Sequence, residues 1–239
     1  MQKLLGKFRR AVNDFKLIES GDKIAVGLSG GKDSITLLHL LSKYRIFSPE
    51  PFELIAITID PGTGADFSPM EILCKELDVP FYLIKSDIKE IVFDIRKEKN
   101  PCALCANLRR GILNSNAKQL GCTKVALGHH KNDAVETLLM SMFYEGRISS
   151  FSPKTYLDRK DITVIRPMVY IDELDIKNNA KKSNFPIIEN PCPANGYTKR
   201  QFIKDLTYSL ENEIPDLKDH LLGALMNSEQ LSIWDKTKY

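Results

Sequence analysis

An apolar run of strand length, Ile24-Ala25-Val26-Gly27-Leu28, ends in Ser29-Gly30-Gly31-Lys32-Asp33-Ser34. A helix-period run follows at once, with Ile35, Leu37, Leu38, Leu40 and Leu41 as its apolar face. A strand that feeds a helix through a glycine turn is the opening unit of an α/β sheet, so this stretch narrows the fold before any other is read. It also makes an anion site. Glycines let the backbone approach a phosphate, the first-turn amides point at it, and the helix macrodipole favours negative charge there. Ser29 and Ser34 add hydroxyl donors and Lys32 adds a point charge. The spacing is neither that of the Walker motif, G-x-x-x-x-G-K-[ST], nor that of the dinucleotide fingerprint, whose third glycine is missing.

The stretch resembles the PP-loop, S-G-G-x-D-S, of ATP pyrophosphatases. The resemblance implies that Leu28, Ser29, Gly30, Gly31, Lys32, Asp33 and Ser34 hold the pyrophosphate end of ATP while its α-phosphate is attacked, giving an adenylated intermediate and pyrophosphate. Lys32 and Asp33 are then catalytic candidates. The competing reading is a ligand-free glycine turn. A full match to the six-residue pattern, with all five specified positions met, in strand–helix context weighs against it.

Composition sets the frame for this loop. A chain of 239 residues can bury a core in one α/β domain with a small helical appendage. Its apolar runs are strand-sized, which leaves no transmembrane span. Met1-Gln2-Lys3 opens an amphipathic pattern rather than the apolar run of a signal peptide, and the chain reads as cytoplasmic with no membrane partner. A net charge of +3 permits an RNA partner without demanding one. Five cysteines, an odd number in a chain read as cytosolic, favour metal binding or catalysis over disulfides.

Residues 1–20 place Leu4, Leu5, Phe8, Val12 and Phe15 at helical spacing, between Lys3, Lys7, Arg9 and Arg10. A helix packed on the domain with a solvated basic face is favoured over one that touches RNA phosphates. Further strands are read at 53–60, 81–84, 124–127 and 163–167, with helices at 68–78 and 172–183 and two more beyond residue 198, the first with a basic face. The expected fold is α/β: a five-stranded, mostly parallel sheet of the adenine nucleotide alpha-hydrolase-like (PP-loop) kind, flanked by helices. Residues 1–20 form the N-terminal helix, 21–195 the nucleotide domain with its cysteines, and 196–239 a helical extension.

Two further regions carry chemistry. Pro101-Cys102-Ala103-Leu104-Cys105 opens a helix, so two thiols lie about one turn apart near the positive end of its dipole. Two soft ligands do not complete a zinc or iron–sulfur site, and a redox role stays open. Lys124-Val125-Ala126-Leu127 ends in Gly128-His129-His130-Lys131-Asn132-Asp133, a second polar strand end at the loop's sheet edge. Adjacent histidines in such a loop suit capping and nucleotide contact better than chelation. Asp133 is the candidate for magnesium or for aiding adenylation. Cys192 stands between Pro191 and Pro193, which fix the backbone and present the thiol as a third partner for Cys102 and Cys105. Cys74 and Cys122 read as structural.

Together, Ser-Gly-Gly-Lys-Asp-Ser, Cys-Ala-Leu-Cys with Leu108-Arg109-Arg110-Gly111-Ile112-Leu113, Leu127-Gly128-His129-His130 and a late Pro-Cys resemble the TtcA/TtuA family of tRNA thiolases. The match runs from about residue 20 to about residue 210, and the Leu-Arg-Arg-Gly and Gly-His-His segments resemble the TtcA branch, the tRNA 2-thiocytidine synthetases. The resemblance implies ATP, Mg2+ and a [4Fe–4S] cluster on Cys102, Cys105 and Cys192 with one iron open to hydrosulfide. It implies that ATP is also met by backbone around Ile57 and Ile59, by Gly128 and His129, and by Asp133. Cytidine O2 attacks the α-phosphate, pyrophosphate leaves, and sulfide then displaces AMP from C2. Arg109 or Arg110 could contact the adenylate or an RNA phosphate; for Arg109 that contact is weighed equally with a surface role, and for Arg110 the surface role is ahead. The implied partners are tRNA, a sulfur donor (cysteine desulfurase or sulfide) and a second copy of the chain. The rivals are a lysidine synthetase-like ligase, a PP-loop protein with structural zinc completed by His129 or His130, and a nucleotide-binding or redox-sensing module without transferase activity.

Overall fold

A computed structural model describes residues 1–96, 101–188, 198–227 and 229. They fall into two compact units, residues 1–130 with 152–196 and residues 131–151 with 197–239.

In the first unit, β1 (Asp22–Gly27), β2 (Phe52–Asp60), β3 (Phe81–Lys85), β4 (Lys124–Ala126), β5 (Lys154–Leu157) and β6 (Ile162–Ile165) form one sheet in the order β3-β2-β1-β4-β6-β5. The four pairings among the five expected strands are parallel, and β5 joins β6 antiparallel. Alternation along the strands decides which core each residue enters. Ile24 and Val26 of β1, with Leu54 and Ala56 of β2, join one cluster, while Ala25, Ile55 and Ile57 join the other. Because both faces are covered, β1 and β2 read in sequence as continuous apolar runs.

The first cluster packs the sheet against α1 (Gln2–Asp14), α2 (Lys32–Arg45), α3 (Ser68–Glu76) and α6 (Glu173–Lys182), through Phe8, Leu38, Met70 and Ile176. The five apolar positions read for α2 are all fully buried. The opposite face is covered by α4 (Pro101–Gln119) through Leu113 and Ala117. A short π-helical turn, Glu90–Ile95, precedes α4.

The sheet has six strands, one more than expected. The added strand β5 forms a hairpin with β6 whose turn holds Asp161 at φ 46. Arg166 secures it: Nη1 donates to Ser152 O at 2.6 Å and to Thr155 Oγ1 at 3.2 Å. Burial, with the charge of Arg110 adding to it, pulls the Arg166 guanidinium down to about 10.

The face of α1 is only partly solvated. Lys3 Nζ donates to Asp175 at 2.9 Å, and Lys7 Nζ donates to Asp172 and Asp175 at 3.1 and 3.0 Å, so two of its cations grip the start of α6. In the second unit, α5 (Lys131–Glu145), α7 (Lys199–Glu211) and α8 (Leu217–Met226) pack through Val135, Leu139, Ile203 and Leu221. Among the described residues no helix is long and apolar enough to cross a membrane.

Candidate active site

β1 ends at Gly27, and Leu28 to Gly31 lead directly into α2. Gly31 is the N-cap residue, and no side chain caps the helix. A serine or aspartate there would satisfy a first-turn amide, whereas glycine leaves those amides for an anion. The turn is nonetheless braced. Ser29 N donates to Ser34 Oγ at 3.1 Å, Ser34 Oγ donates to Gly31 O at 3.0 Å, and the two serine hydroxyls lie 3.1 Å apart. Thr58 Oγ1 donates to Leu28 O at 2.6 Å. Gly30 sits at φ +82, the left-handed region that glycine enters without strain.

Two neighbouring segments close on this turn. Ile188 N donates to Gly30 O at 3.0 Å, and a Cβ at Gly30 would stand 2.9 Å from the Ile188 side chain. At the end of β4, a Cβ on Gly128 would meet the Asp33 carbonyl carbon at 3.1 Å and Ser34 N at 3.2 Å. Gly128 therefore lets the Gly128-His129-His130 segment lie directly against the first turn of α2. His130 is buried, forms a bridge with Met168, and brings Nε2 within 3.7 Å of Asp33 Oδ1.

Lys32 is held from two sides. Its ammonium lies 2.9 Å from Asp33 Oδ2 and 3.3 Å from Glu173 Oε1. Burial pulls the Lys32 pKa down, but the hydrogen bond and charge of Asp33, with Glu173 adding to them, outweigh it and leave it above the ordinary lysine value. Glu173 stands on the first turn of α6 and is itself buried. Sequence alone does not mark it as a site residue, because a helix-start carboxylate has an ordinary dipole role.

At the adjacent strand, Ile57 pairs with Gly27 and its carbonyl accepts from Leu28 N at 2.9 Å. β2 runs on to Asp60 after β1 has ended, so the β1-facing edge of Ile59 has no paired residue in β1. Ile57 thus supports the turn, whereas Ile59 offers backbone beside it.

Cys102 and Cys105 occupy the first turns of α4, three positions apart and hence on one face. Cys102 is exposed and Cys105 half-buried. Two accessible thiols at a helix start suit iron–sulfur ligation. Cys192 lies outside the described residues. Among the described residues, no group of three or more His, Cys, Asp or Glu side chains is placed to hold a metal ion. Cys74 and Cys122 belong to the core, where burial pushes their thiols up to about 12 and about 11. Arg109, further along α4, has a buried Nε without a hydrogen-bond partner, whereas Arg110 is exposed and binds Asn107.

In the second unit, Asp133 is on the first turn of α5. Arg200 reaches it at 3.5 Å, Glu136 at 3.2 Å and Thr137 Oγ1 at 3.3 Å. Burial, then the charge of Asp133, raises the Glu136 carboxyl above its ordinary value against the opposing charges of Arg200 and Lys204. Lys199 lies over the Tyr144 ring, 4.5 Å from its centroid. The basic start of α7 therefore faces α5 rather than only water. Arg200 is a further residue beside Asp133, and α7's cationic spacing was its one sequence signal.

A strand-to-helix glycine loop with an uncapped first turn, at the carboxyl edge of a mostly parallel sheet, marks a nucleotide-binding α/β protein, and the Ser29-Gly30-Gly31-Lys32-Asp33-Ser34 spacing gives it the PP-loop pattern. The PP-loop domain family matches residues 2–209. A tRNA-cytidine(32) 2-sulfurtransferase of Syntrophotalea carbinolica is 44% identical, covering 98% of this chain and 91% of that protein. The enzyme of the same name from Geobacter sulfurreducens is 40% identical over 98% and 93%. The chain belongs to the tRNA-cytidine(32) 2-sulfurtransferase family of PP-loop proteins. The solved structure of the U34-tRNA thiolase NcsA from Methanococcus maripaludis, with its [4Fe-4S] cluster, aligns with a TM-score of 0.79 at 26% identity, covering 98% of this chain and 80% of that one.

Proposed function

We propose that the chain is a cytoplasmic, ATP-dependent tRNA sulfurtransferase that converts a cytidine of tRNA to 2-thiocytidine, releasing AMP and pyrophosphate. The observation that carries this reading is 44% identity to a tRNA-cytidine(32) 2-sulfurtransferase across nearly the whole chain.

The loop amides from Gly30 to Ser34, the hydroxyls of Ser29 and Ser34, and the Lys32 ammonium receive the β- and γ-phosphates. Backbone at Ile59 and the Gly128-His129 segment are assigned to the nucleoside, with Ile57 bracing the turn beneath it. Cytidine O2 attacks the α-phosphate, the bond to the β-phosphate oxygen breaks, and Lys32 with the loop amides stabilises the charge on the departing pyrophosphate. The C2–O bond then becomes the bond to a leaving AMP. We assign magnesium to Asp133 and an anionic contact, adenylate or RNA phosphate, to Arg109. Asp33 is assigned to the same catalytic group, holding the Lys32 ammonium until phosphate arrives.

Cys102, Cys105 and Cys192 would hold a [4Fe–4S] cluster, which when bound supplies an iron coordination position for sulfide. Sulfide from a cysteine desulfurase or free in solution is the proposed donor, and a homodimer the proposed state. The test is iron and acid-labile sulfide content of protein purified without oxygen, beside Cys102→Ala, Cys105→Ala and Cys192→Ala. About four irons per chain, lost in every variant, supports the assignment. Zinc, or no metal, refutes it.

A further inference from the structure

The structure brings one acidic residue to the PP-loop from a separate helix. Glu173 opens α6, about 140 residues after Lys32 in sequence, yet its Oε1 lies 3.3 Å from the Lys32 ammonium. Its side chain is 9% exposed, against 32% for Asp33, the other carboxylate on the same ammonium. Glu173 is in turn fixed by Lys177, one turn further along α6, at 3.2 Å. The helix itself is anchored, since Asp172 and Asp175 accept from Lys7 and Asp175 from Lys3.

Asp33 does not set the direction of Lys32 by itself. Neighbouring residues on a helix point to different sides, and a lysine stem has several free rotors. A lysine bound only to Asp33 would move with a half-exposed side chain on its own turn. A second carboxylate, buried and arriving from another helix, fixes the ammonium in space. The same arm grips the loop a second time where Ile188 N donates to Gly30 O.

We propose that Glu173 is the positioning residue of Lys32: its buried carboxylate holds the ammonium over the loop, so that the charge is in place when pyrophosphate forms. This rests on the reading of Lys32 as the cation that meets the pyrophosphate. Misplacement of such a charge is felt chiefly in the transition state, so kcat is the parameter that responds.

The test compares Glu173→Ala, Glu173→Gln, Lys32→Ala and the double variant Lys32→Ala/Glu173→Ala in tRNA-dependent pyrophosphate release. Glu173→Ala is expected to lower kcat by about tenfold with KM for ATP changed less than about threefold. Glu173→Gln, whose carbonyl accepts the same hydrogen bond, is expected to stay within about threefold of the parent. The double variant is expected to be no slower than Lys32→Ala, because both changes remove one interaction. An additive loss in the double variant, or an unchanged Glu173→Ala enzyme, overturns the proposal. A parent protein that releases no pyrophosphate with tRNA refutes the thiolation reading instead, and the positioning role is then read by calorimetry with inorganic pyrophosphate. There Glu173→Ala is expected to bind more weakly and Glu173→Gln near the parent; tighter binding by both variants makes Glu173 a competitor for Lys32 and overturns the proposal.

Discussion

Gly128→Ala tests whether β4 must touch the nucleotide loop. The added methyl would meet the Asp33 carbonyl carbon at 3.1 Å, and Asp33 O and Ser34 N at 3.2 Å, where ordinary contact begins at 3.4 Å. All three are backbone atoms in the first turn of α2, braced by Ser34, so no side chain can swing aside. Overpacking of this kind costs about 1–3 kcal/mol, and the stiffer unfolded chain returns about 0.4–1 kcal/mol. A net loss of about 1 kcal/mol corresponds to a Tm lowered by about 2–4 °C for a chain of this size. The strain falls on the amides assigned to phosphate, so ATP affinity by calorimetry is expected to fall with it. Gly111→Ala is the control: it lies in α4 and an added Cβ meets nothing within 4 Å. Helix propensity then predicts a gain of about 0.5–1 kcal/mol and a higher Tm. Opposite signs for the same substitution are the expected result. A Gly128→Ala protein with unchanged Tm and ATP affinity refutes the reasoning that this glycine is required by close approach.

Three further outcomes are expected. Gly30→Ala should be more costly than Gly21→Ala, because both glycines sit near φ +80 (82 and 84) but only Gly30 faces a neighbour, Ile188, at 2.9 Å; equal melting temperatures would remove the Ile188 contact as a constraint. The clamp between α1 and α6 should weaken in acid. Burial pushes the Asp175 carboxyl up, but the hydrogen bonds and charges of Lys3 and Lys7 outweigh it and hold it below its ordinary 3.8, so its contribution is present above that value and is lost as pH falls through the lower folded one. The stability difference between the parent and Asp175→Asn in urea should therefore shrink at low pH, and a difference independent of pH would contradict the sign. Arg200→Met should raise the Glu136 pKa further, since burial and Asp133 already push it up and Arg200 opposes them; a carboxyl titration by NMR that stays in place would show that Arg200 carries no charge coupling.

The parts of the fold that were legible from sequence are those where local pattern and tertiary role coincide. Ile24 to Leu28 and Leu54 to Ile59 read as strands because burial on both faces leaves an apolar run. The helix 172–183 was bounded nearly to the residue, since Asp172 and Ser183 flank Glu173–Lys182. β5 was missed for a related reason. Lys154-Thr155-Tyr156-Leu157 is a half-buried edge strand, and its main determinant, Arg166, reaches it from beyond the partner strand.

The candidate site divides along the same line. The loop was visible because its chemistry is contiguous: six residues carry the turn, the donors and the charge. What was not visible is the support that arrives from distant sequence. Glu173 on Lys32, Ile188 on Gly30 and Gly128 on Asp33 each join positions separated by about 95 residues or more, and no periodicity links them. A loop binds phosphate through its own amides, but it presents them in one fixed geometry only if its surroundings hold it. The sequence motif therefore specifies what the loop can bind. The residues brought to it by the sheet order β2-β1-β4-β6 and by α6 specify how rigidly it binds. That distinction is why Glu173→Ala is expected to alter turnover through Lys32, whereas removal of the loop's own hydroxyl donors at Ser29 and Ser34 is expected to weaken phosphate binding itself.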